Sequence, residues 1–294
     1  MNTNLDGHVR TLAEACAQVG IDPAGAECVR LGENAIFALS GQIVARIARP
    51  GATATARREV RVARWLAEHA IPAVTPLDNI DQPVEILGRA VTFWRQLPPH
   101  RHGTPAEVAA ALRRLHDLAP PPSFAELDPF VRLAERIDAA ATLVDDDRTW
   151  LREHLADLRD CYQCRPTGLP ACVVHGDAWV GNVVVTADGQ TVLLDLERCS
   201  VGPPEWDLVS TAIKHTSFGW ITERDYRDFT DRYGHDVTTW GGFDLLRDIR
   251  ELRMACYAAQ RAAEHPPARA EAALRTACLR GEHGPRPWKW TPAL

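Results

Sequence analysis

From residue 31 to residue 96 the apolar positions fall into short runs with the two-residue alternation of strands, broken once by a longer stretch with helical spacing. Ala35-Ile36-Phe37-Ala38-Leu39 and Ile43-Val44-Ala45-Arg46-Ile47 flank Ser40-Gly41-Gln42, which predicts a β-hairpin. Its second strand puts Ile43, Ala45 and Ile47 on one face and Arg46 on the other with Val44. Residues 55–69 predict a helix in which Glu59 is followed by Val62, Ala63 and Leu66, so Glu59 lies on the apolar stripe. A carboxylate there either meets a cation or escapes at the edge of the stripe. Val84-Glu85-Ile86-Leu87 and Ala90-Val91-Thr92-Phe93-Trp94 predict two further strands.

Leu97-Pro98-Pro99 ends the strand pattern, and helical spacing follows at 105–118, 129–142, 148–160 and 247–263. This places a boundary between an N-terminal lobe, residues 1–96, and a larger, mainly helical C-terminal lobe, residues 97–294. The Asp145-Asp146-Asp147 run reads as a solvated helix start. The Pro- and Trp-rich tail after Gly281 suggests no element.

Composition narrows the function classes. A net charge of −6 argues against a dedicated nucleic-acid binder. No apolar run approaches the roughly 18 residues of a membrane span, and the first ten residues lack a signal-peptide pattern, so a cytoplasmic protein is expected. Cys161 and Cys164 form the one CxxC pair; without two further ligands at similar spacing, free thiols are expected in place of a zinc site.

Chemistry concentrates between Cys172 and Leu208. A short apolar run ends in His175-Gly176-Asp177, and Asn182 follows five residues after Asp177. Val183-Val184-Val185-Thr186 and Thr191-Val192-Leu193-Leu194 then flank Ala187-Asp188-Gly189-Gln190, a hairpin signal. With Asp188 and Gly189 as a two-residue turn, Asn182 would face Asp195 across the strands, and Asp177 would enter at the same end. Such hard oxygen donors suit Mg²⁺, which completes its shell with waters and nucleotide phosphates. A base Asp, an Asn five positions on and a second Asp after a hairpin is the order found in kinase catalytic loops.

In the stretches Val174-His175-Gly176-Asp177-Ala178-Trp179-Val180-Gly181-Asn182, Leu193-Leu194-Asp195-Leu196-Glu197 and Gly202-Pro203-Pro204-Glu205-Trp206-Asp207-Leu208, the chain resembles the aminoglycoside phosphotransferases and their kinase-like relatives. The resemblance extends to Arg46, Glu59 and Val91-Thr92-Phe93-Trp94, and to the helix near Arg250. It implies an α+β, bilobal protein-kinase-like fold: an antiparallel sheet plus helix, then a helical lobe carrying the catalytic hairpin.

The same resemblance implies a role for each matching residue. Asp177 would orient the acceptor hydroxyl; Asn182 and Asp195 would hold Mg²⁺. Glu197 would touch metal-bound water or cap the next turn. His175 and Asp207 would support the catalytic loop. Arg46 stands where kinases usually carry Lys, paired with Glu59, and retains the charge with a different donor geometry. Gly32 and Asn34 would cover the phosphates through backbone amides. The Trp94-Arg95-Gln96-Leu97 segment would meet the purine through its backbone at Trp94, Gln96 and Leu97, for ATP or GTP alike. Trp179 and Glu205 would line the acceptor site or pack in the core.

The expected activity is therefore transfer of a phosphoryl group to a hydroxylated small molecule. An antibiotic of aminoglycoside or nucleoside type is the first expectation. An amino sugar or amino alcohol acceptor, or a nucleotide-binding pseudokinase, is the alternative. A protein kinase fits less well: Gly202-Pro203-Pro204-Glu205 follows Asp195 too closely for an activation loop.

Overall fold

The computed structural model describes residues 3–292. In chain order its elements are helix α1 (Thr3–Val19), strands β1 (Glu27–Leu31), β2 (Ala35–Leu39) and β3 (Ile43–Ile47), and helix α2 (Thr53–Glu68). Strands β4 (Val84–Ile86), β5 (Arg89–Arg95) and β6 (His100–His102) follow, then helices α3 (Pro105–His116), α4 (Leu133–Asp138) and α5 (Asp145–Gln163). Next come strands β7 (Cys172–Val174), β8 (Val183–Thr186), β9 (Thr191–Leu193) and β10 (Ser200–Gly202). Helices α6 (Glu205–Thr216), α7 (Glu223–Tyr233), α8 (Phe243–Glu264) and α9 (Ala268–Leu279) complete the chain.

Two compact units result. One comprises Met1–Gly103 with Val180–Cys199, the other Thr104–Trp179 with Ser200–Leu294. The division therefore falls at Gly103, later than the expected residue 96, and the β8–β9 hairpin groups with the first unit and not with the helices that precede it. The reason is hydrogen bonding: β6 pairs antiparallel with β8, and the Leu193 amide donates to Pro72 O at 3.0 Å while Val74 donates to Leu193 O at 3.0 Å.

In the first unit five antiparallel strands run in the order β1-β2-β3-β5-β4. Alternation decides its faces. Phe37, Ala45, Ile47, Val91 and Phe93 join Leu12, Ala15 and Cys16 of α1 in one core. Ala48, Ala52, Ala56 and Ala90 form a second, small-residue cluster at the start of α2. The Ala35–Leu39 and Ile43–Ile47 pairing, with Leu39 opposite Ile43, is the hairpin the pattern predicted. Helix α1 was not expected, although Leu5, Leu12, Ala15, Cys16 and Val19 carry helical spacing.

The second hairpin is out of register with the expectation by one residue. Val183 pairs with Leu193 and Val185 with Thr191, so Asn182 lies opposite Leu194, whose amide donates to Asn182 O at 2.9 Å. The loop holds three residues, Ala187-Asp188-Gly189, and Gly189 takes φ +84°. A three-residue loop ending in a left-handed glycine is the next commonest hairpin after the two-residue type. Thr186 selects it: its amide donates to Gln190 O at 3.0 Å, and its hydroxyl bonds to Asp188 and to Gln190 O.

The second unit is built on α8, whose Leu246, Ile249, Leu252, Ala255, Cys256 and Ala259 are buried against α4, α5, α6 and α9. Thr104 and Glu107 form a capping box on α3 with Pro105 in its first turn; Thr222 and Asp225 do the same for α7. The predicted helix at 129–142 is confined to Leu133–Asp138. The tail is strapped down by aromatics: Trp290 stacks on Phe218 and its carbonyl accepts from Trp220 Nε1 at 2.9 Å. Among the described residues no helix is long and apolar enough to cross a membrane.

Candidate functional site

In the first unit Arg46 is a hub. It leaves β3 on the face opposite Ala45 and Ile47, and its Nη1 donates to the Glu59 carboxylate of α2 at 2.5 Å. Glu59 is buried, so the cation the stripe required is Arg46. Nη2 donates to Glu197 Oε2 at 3.1 Å and lies 3.8 Å from Asp195 Oδ1. With its carboxamide oxygen turned to the guanidinium, Asn34 accepts from Nε at 3.0 Å and from Nη2 at 2.6 Å. A planar fork can serve four partners at once; an ammonium could not.

Three carboxylates thus surround one cation. Burial pushes the Glu59 carboxyl up, Arg46 opposes this, and Asp195 and Glu197 push it further, to about 7. The surplus of negative charge, with Asp195 40% and Glu197 27% exposed at their side chains, suits a divalent cation. Among the described residues no three His, Cys, Asp or Glu side chains are grouped as a metal cage. Mg²⁺ does not need one, because one or two carboxylates plus phosphates and waters suffice. The donor set therefore fits the ion.

Asp195 adopts φ +54° at the head of a 3-10 turn over Leu196–Arg198, where the chain leaves β9. Arg58 of α2 donates to the Glu197 carbonyl and ties that turn to the helix. Of the alternatives for Glu197, the structure shows neither directly; its side chain is paired with Arg46.

The Gly32 amide donates to Asn34 O at 3.1 Å in a tight turn, and the Asn34 side chain is engaged with Arg46. Trp94 is buried with its indole N–H on Thr92 Oγ1 at 2.9 Å, and Arg95 and Gln96 donate their amides to Thr75 O and Gln42 O, each at 2.8 Å. The Gln96 amide is thus engaged internally. Leu97 follows, half-buried.

In the second unit Asp207, wholly buried, accepts from the amides of His175 at 2.6 Å and Gly176 at 2.9 Å. Both successive amides point at one carboxylate because Gly176 takes φ +84°, a conformation glycine adopts without a Cβ penalty. The Asp177 amide donates to His175 Nδ1 at 3.3 Å, and Trp206 Nε1 donates to Gly176 O at 3.0 Å. The loop is therefore held from three sides and presents an Asp177 side chain that is 44% exposed.

Three residues that sequence reasoning gave no role complete this cluster. His116 Nε2 lies 3.2 Å from Asp207 Oδ2, and since a carboxylate only accepts, Nε2 carries the proton; Nδ1 meets the Tyr233 hydroxyl at 2.8 Å. Burial alone would raise Asp207, but His116, His175 and Arg250 hold it below the usual carboxylate range. Arg250 donates to Trp206 O at 2.7 Å, lies 4.0 Å over the Trp206 ring and stands 3.8 Å from Asp177. Its signal was present: it sits on the buried stripe of α8 between Ile249 and Leu252. Lys214 of α6 lies with its ammonium 5.7 Å from the centre of the Trp179 ring.

Glu205 is placed inside the second unit and not at its surface. It is fully buried at the head of α6 and accepts from the Leu169 amide at 2.5 Å, packed on Gly168, so it anchors the strand-entry loop. Trp179, by contrast, is 40% exposed.

The family described as the phosphotransferase enzyme family, APH, matches residues 32–246. A search of curated proteins found no match to the sequence. Among solved structures, an amicoumacin kinase, hAmiN, superposes with TM-score 0.69 at 14% identity, over 96% of this chain and 97% of its own. A choline kinase, LicA, from Streptococcus pneumoniae gives TM-score 0.64 at 12% identity, covering 92% and 98%. The aminoglycoside phosphotransferase APH(3'')-Id from Streptomyces rimosus gives TM-score 0.58 at 22% identity, covering 83% and 98%. The shared fold is α+β and protein-kinase-like.

Proposed function

Since the chain belongs to the phosphotransferase enzyme family, we propose that it transfers the γ-phosphoryl group of ATP or GTP to a hydroxyl of a small organic molecule, most fittingly an antibiotic, in resistance or self-protection. The observation that carries this is the Arg46 hub: a partly buried guanidinium shared by Glu59, Glu197 and Asn34 beside the metal-ligand candidate Asp195. Phosphoryl transfer has a loose transition state, so positioning and charge neutralisation dominate.

Asp177, held on its braced loop, accepts a hydrogen bond from the acceptor hydroxyl and aligns it. Asn182 and Asp195 hold Mg²⁺, which neutralises charge on the phosphates. Arg46 meets the phosphates, and Glu59 keeps it in place. Gly32 and the backbone around Leu97 contact the nucleotide. Asp207, His116 and His175 are supports. The reaction is placed in the cytoplasm, where nucleoside triphosphate is available.

An antibiotic acceptor is supported by the solved structures of hAmiN with AMP-PNP, Ca²⁺ and Ami and of APH(3'')-Id with ADP and streptomycin. A second reading, an amino alcohol acceptor, is favoured by LicA and by a choline/ethanolamine kinase family protein from Mesorhizobium loti, of TM-score 0.59. The test is incubation of purified protein with Mg²⁺ and ATP or GTP against hydroxylated antibiotics, sugars and amino alcohols, read by mass spectrometry. Gain of one phosphoryl group, lost in Asp177→Asn, supports the proposal. Absence of magnesium-dependent nucleotide binding sinks it.

A further inference from the structure

Nine consecutive residues, Gln163 to Ala171, are exposed; the chain then turns inward at β7 and reaches the buried His175-Gly176 pair. Burial does not fix that run, and even the Leu169 side chain is 37% exposed. Hydrogen bonds tether it instead. Trp240 Nε1 donates to Thr167 O at 3.0 Å, and the Leu169 amide donates to Glu205 Oε1 at 2.5 Å. Gly168 leaves room for that carboxyl, since a Cβ there would overlap it.

Glu205 is a costly way to hold one amide. It is wholly buried, and its Oε2 has no hydrogen-bond partner among the described residues. A buried carboxyl with one oxygen unmatched works against folding, so the group contributes something other than stability. Its neighbours in the chain show what. Glu205, Trp206 and Asp207 are the first three residues of α6. Trp206 Nε1 donates to Gly176 O at 3.0 Å, and Asp207 accepts from the His175 and Gly176 amides at 2.6 and 2.9 Å. One helix turn therefore grips the chain on both sides of β7: Glu205 at its entry, Trp206 and Asp207 at its exit.

The strand needs both grips. In a two-stranded sheet β7 pairs with β10, Cys172 with Gly202, Val173 with Val201 and Val174 with Ser200. So short a ribbon is marginal by itself. Val173 and Val174 have the same shape and both are fully buried, so packing discriminates weakly against a slip along the strand. A slip of one residue moves the chain by about 3.3 Å, and Asp177 follows three residues after β7. A misplacement of about 1 Å is enough to lower a rate about a hundredfold. With both ends held, the length of chain between the grips is fixed, and a slip must break one of them.

We infer that Glu205 is a positioning residue of the transfer reaction: it fixes the entry of β7, and thereby the alignment of Asp177, without touching the acceptor. The inference rests on Asp177 being the residue that meets the acceptor hydroxyl. It assigns to Glu205 an effect on turnover and none on nucleotide or magnesium affinity.

Three variants test it. Glu205→Ala removes the acceptor of the Leu169 amide, Glu205→Gln keeps Oε1 for it, and Gly168→Ala displaces the carboxyl from the other side. With a small molecule that the wild type phosphorylates, Glu205→Ala and Gly168→Ala are expected to lower kcat by about tenfold or more, with the KM for magnesium nucleotide unchanged. Hydrolysis of the nucleotide by water should fall less, so the ratio of transfer to hydrolysis drops. Glu205→Gln should restore most of the wild-type kcat, a rescue that general destabilisation would not give. Wild-type kcat in folded Glu205→Ala, or no rescue in Glu205→Gln, overturns the inference. If Glu205→Ala fails to fold, wild-type kcat in Gly168→Ala overturns it.

Hydrogen exchange supplies an arm that needs no acceptor. Relative to wild type, Glu205→Ala, or Gly168→Ala in its place, should speed exchange at the Leu169 amide and across Cys172–Val174, and Glu205→Gln should not. Unchanged exchange across Cys172–Val174 overturns the inference. Failure of the kinase reading is separately visible as absence of magnesium-dependent nucleotide binding by the wild type.

Discussion

The guanidinium of Arg46 on β3 donates to the buried carboxylate of Glu59 on α2 at 2.5 Å. The strand and the helix are thereby joined by one ion pair, with the guanidinium side chain 18% and the carboxylate side chain 4% exposed.

Removing the cation strands the anion. Arg46→Met is expected to destabilise the protein by about 3 kcal/mol, the usual cost of leaving one member of a buried pair uncompensated. Glu59→Gln should cost clearly less, because Arg46 keeps Glu197 and Asn34. Denaturant melts of the two variants compare them directly. Arg46→Lys should fold but bind magnesium nucleotide more weakly, since an ammonium cannot face all four partners.

The Asp177 side chain is 44% exposed and lies 3.8 Å from Arg250, and Asp177→Asn keeps its shape while removing its charge. Asp177→Asn is expected to lower kcat by about 10²–10⁴-fold, with nucleotide affinity and melting temperature near wild type. Asn182→Ala and Asp195→Ala should instead raise the magnesium concentration needed for half-maximal activity. Steady-state kinetics with magnesium titration separates the two patterns.

Asp207 braces the loop through two amides and His116. Asp207→Ala should lose about 2–3 kcal/mol at pH 7, because two buried amides lose their acceptor. The folded carboxyl is held below its ordinary 3.8, so its electrostatic contribution is present above that value and is lost as pH falls through the lower folded value. Urea melts at pH 7 and near pH 3 should show the gap between wild type and variant narrowing in acid.

Lys214 has the opposite sign. Its folded pKa of about 7 lies below the ordinary 10.5, so between these values the unfolded chain holds a proton that the folded one has shed, and stability rises with pH. Below pH 7 the cost of charging the lysine is carried in full. Lys214→Met should therefore stabilise the protein most near pH 6, and its advantage should fade towards pH 10. Thermal melts across that range read it out.

Much of this was legible along the chain, because local patterning decides local structure. The hairpin at Ala35–Ile47, the helix bearing Glu59, and the order Asp177, Asn182, Asp195 need only alternation, helical spacing and motif spacing to be seen. A carboxylate on an apolar stripe left two outcomes open, a cation or escape at the edge, and the fold supplied the cation. The hairpin register was misread because Asp-Gly suits either a two-residue turn or a three-residue loop. What chose between them was the Thr186 amide and hydroxyl closing on Gln190 and Asp188.

Other features lay beyond any local pattern. The contacts of Glu205 with Leu169 and Gly168, 36 and 37 residues upstream, could be seen only in the folded chain. His116 comes to Asp207 across 91 residues, and Arg250 to Gly176 across 74. The amino-acid sequence by itself determined the strands and helix that carry Arg46 and Glu59, which residues are chemically able to act, and the family they belong to. Tertiary structure alone decided which charges share a partner, because burial removes the solvent that would otherwise screen them and makes each pairing obligatory.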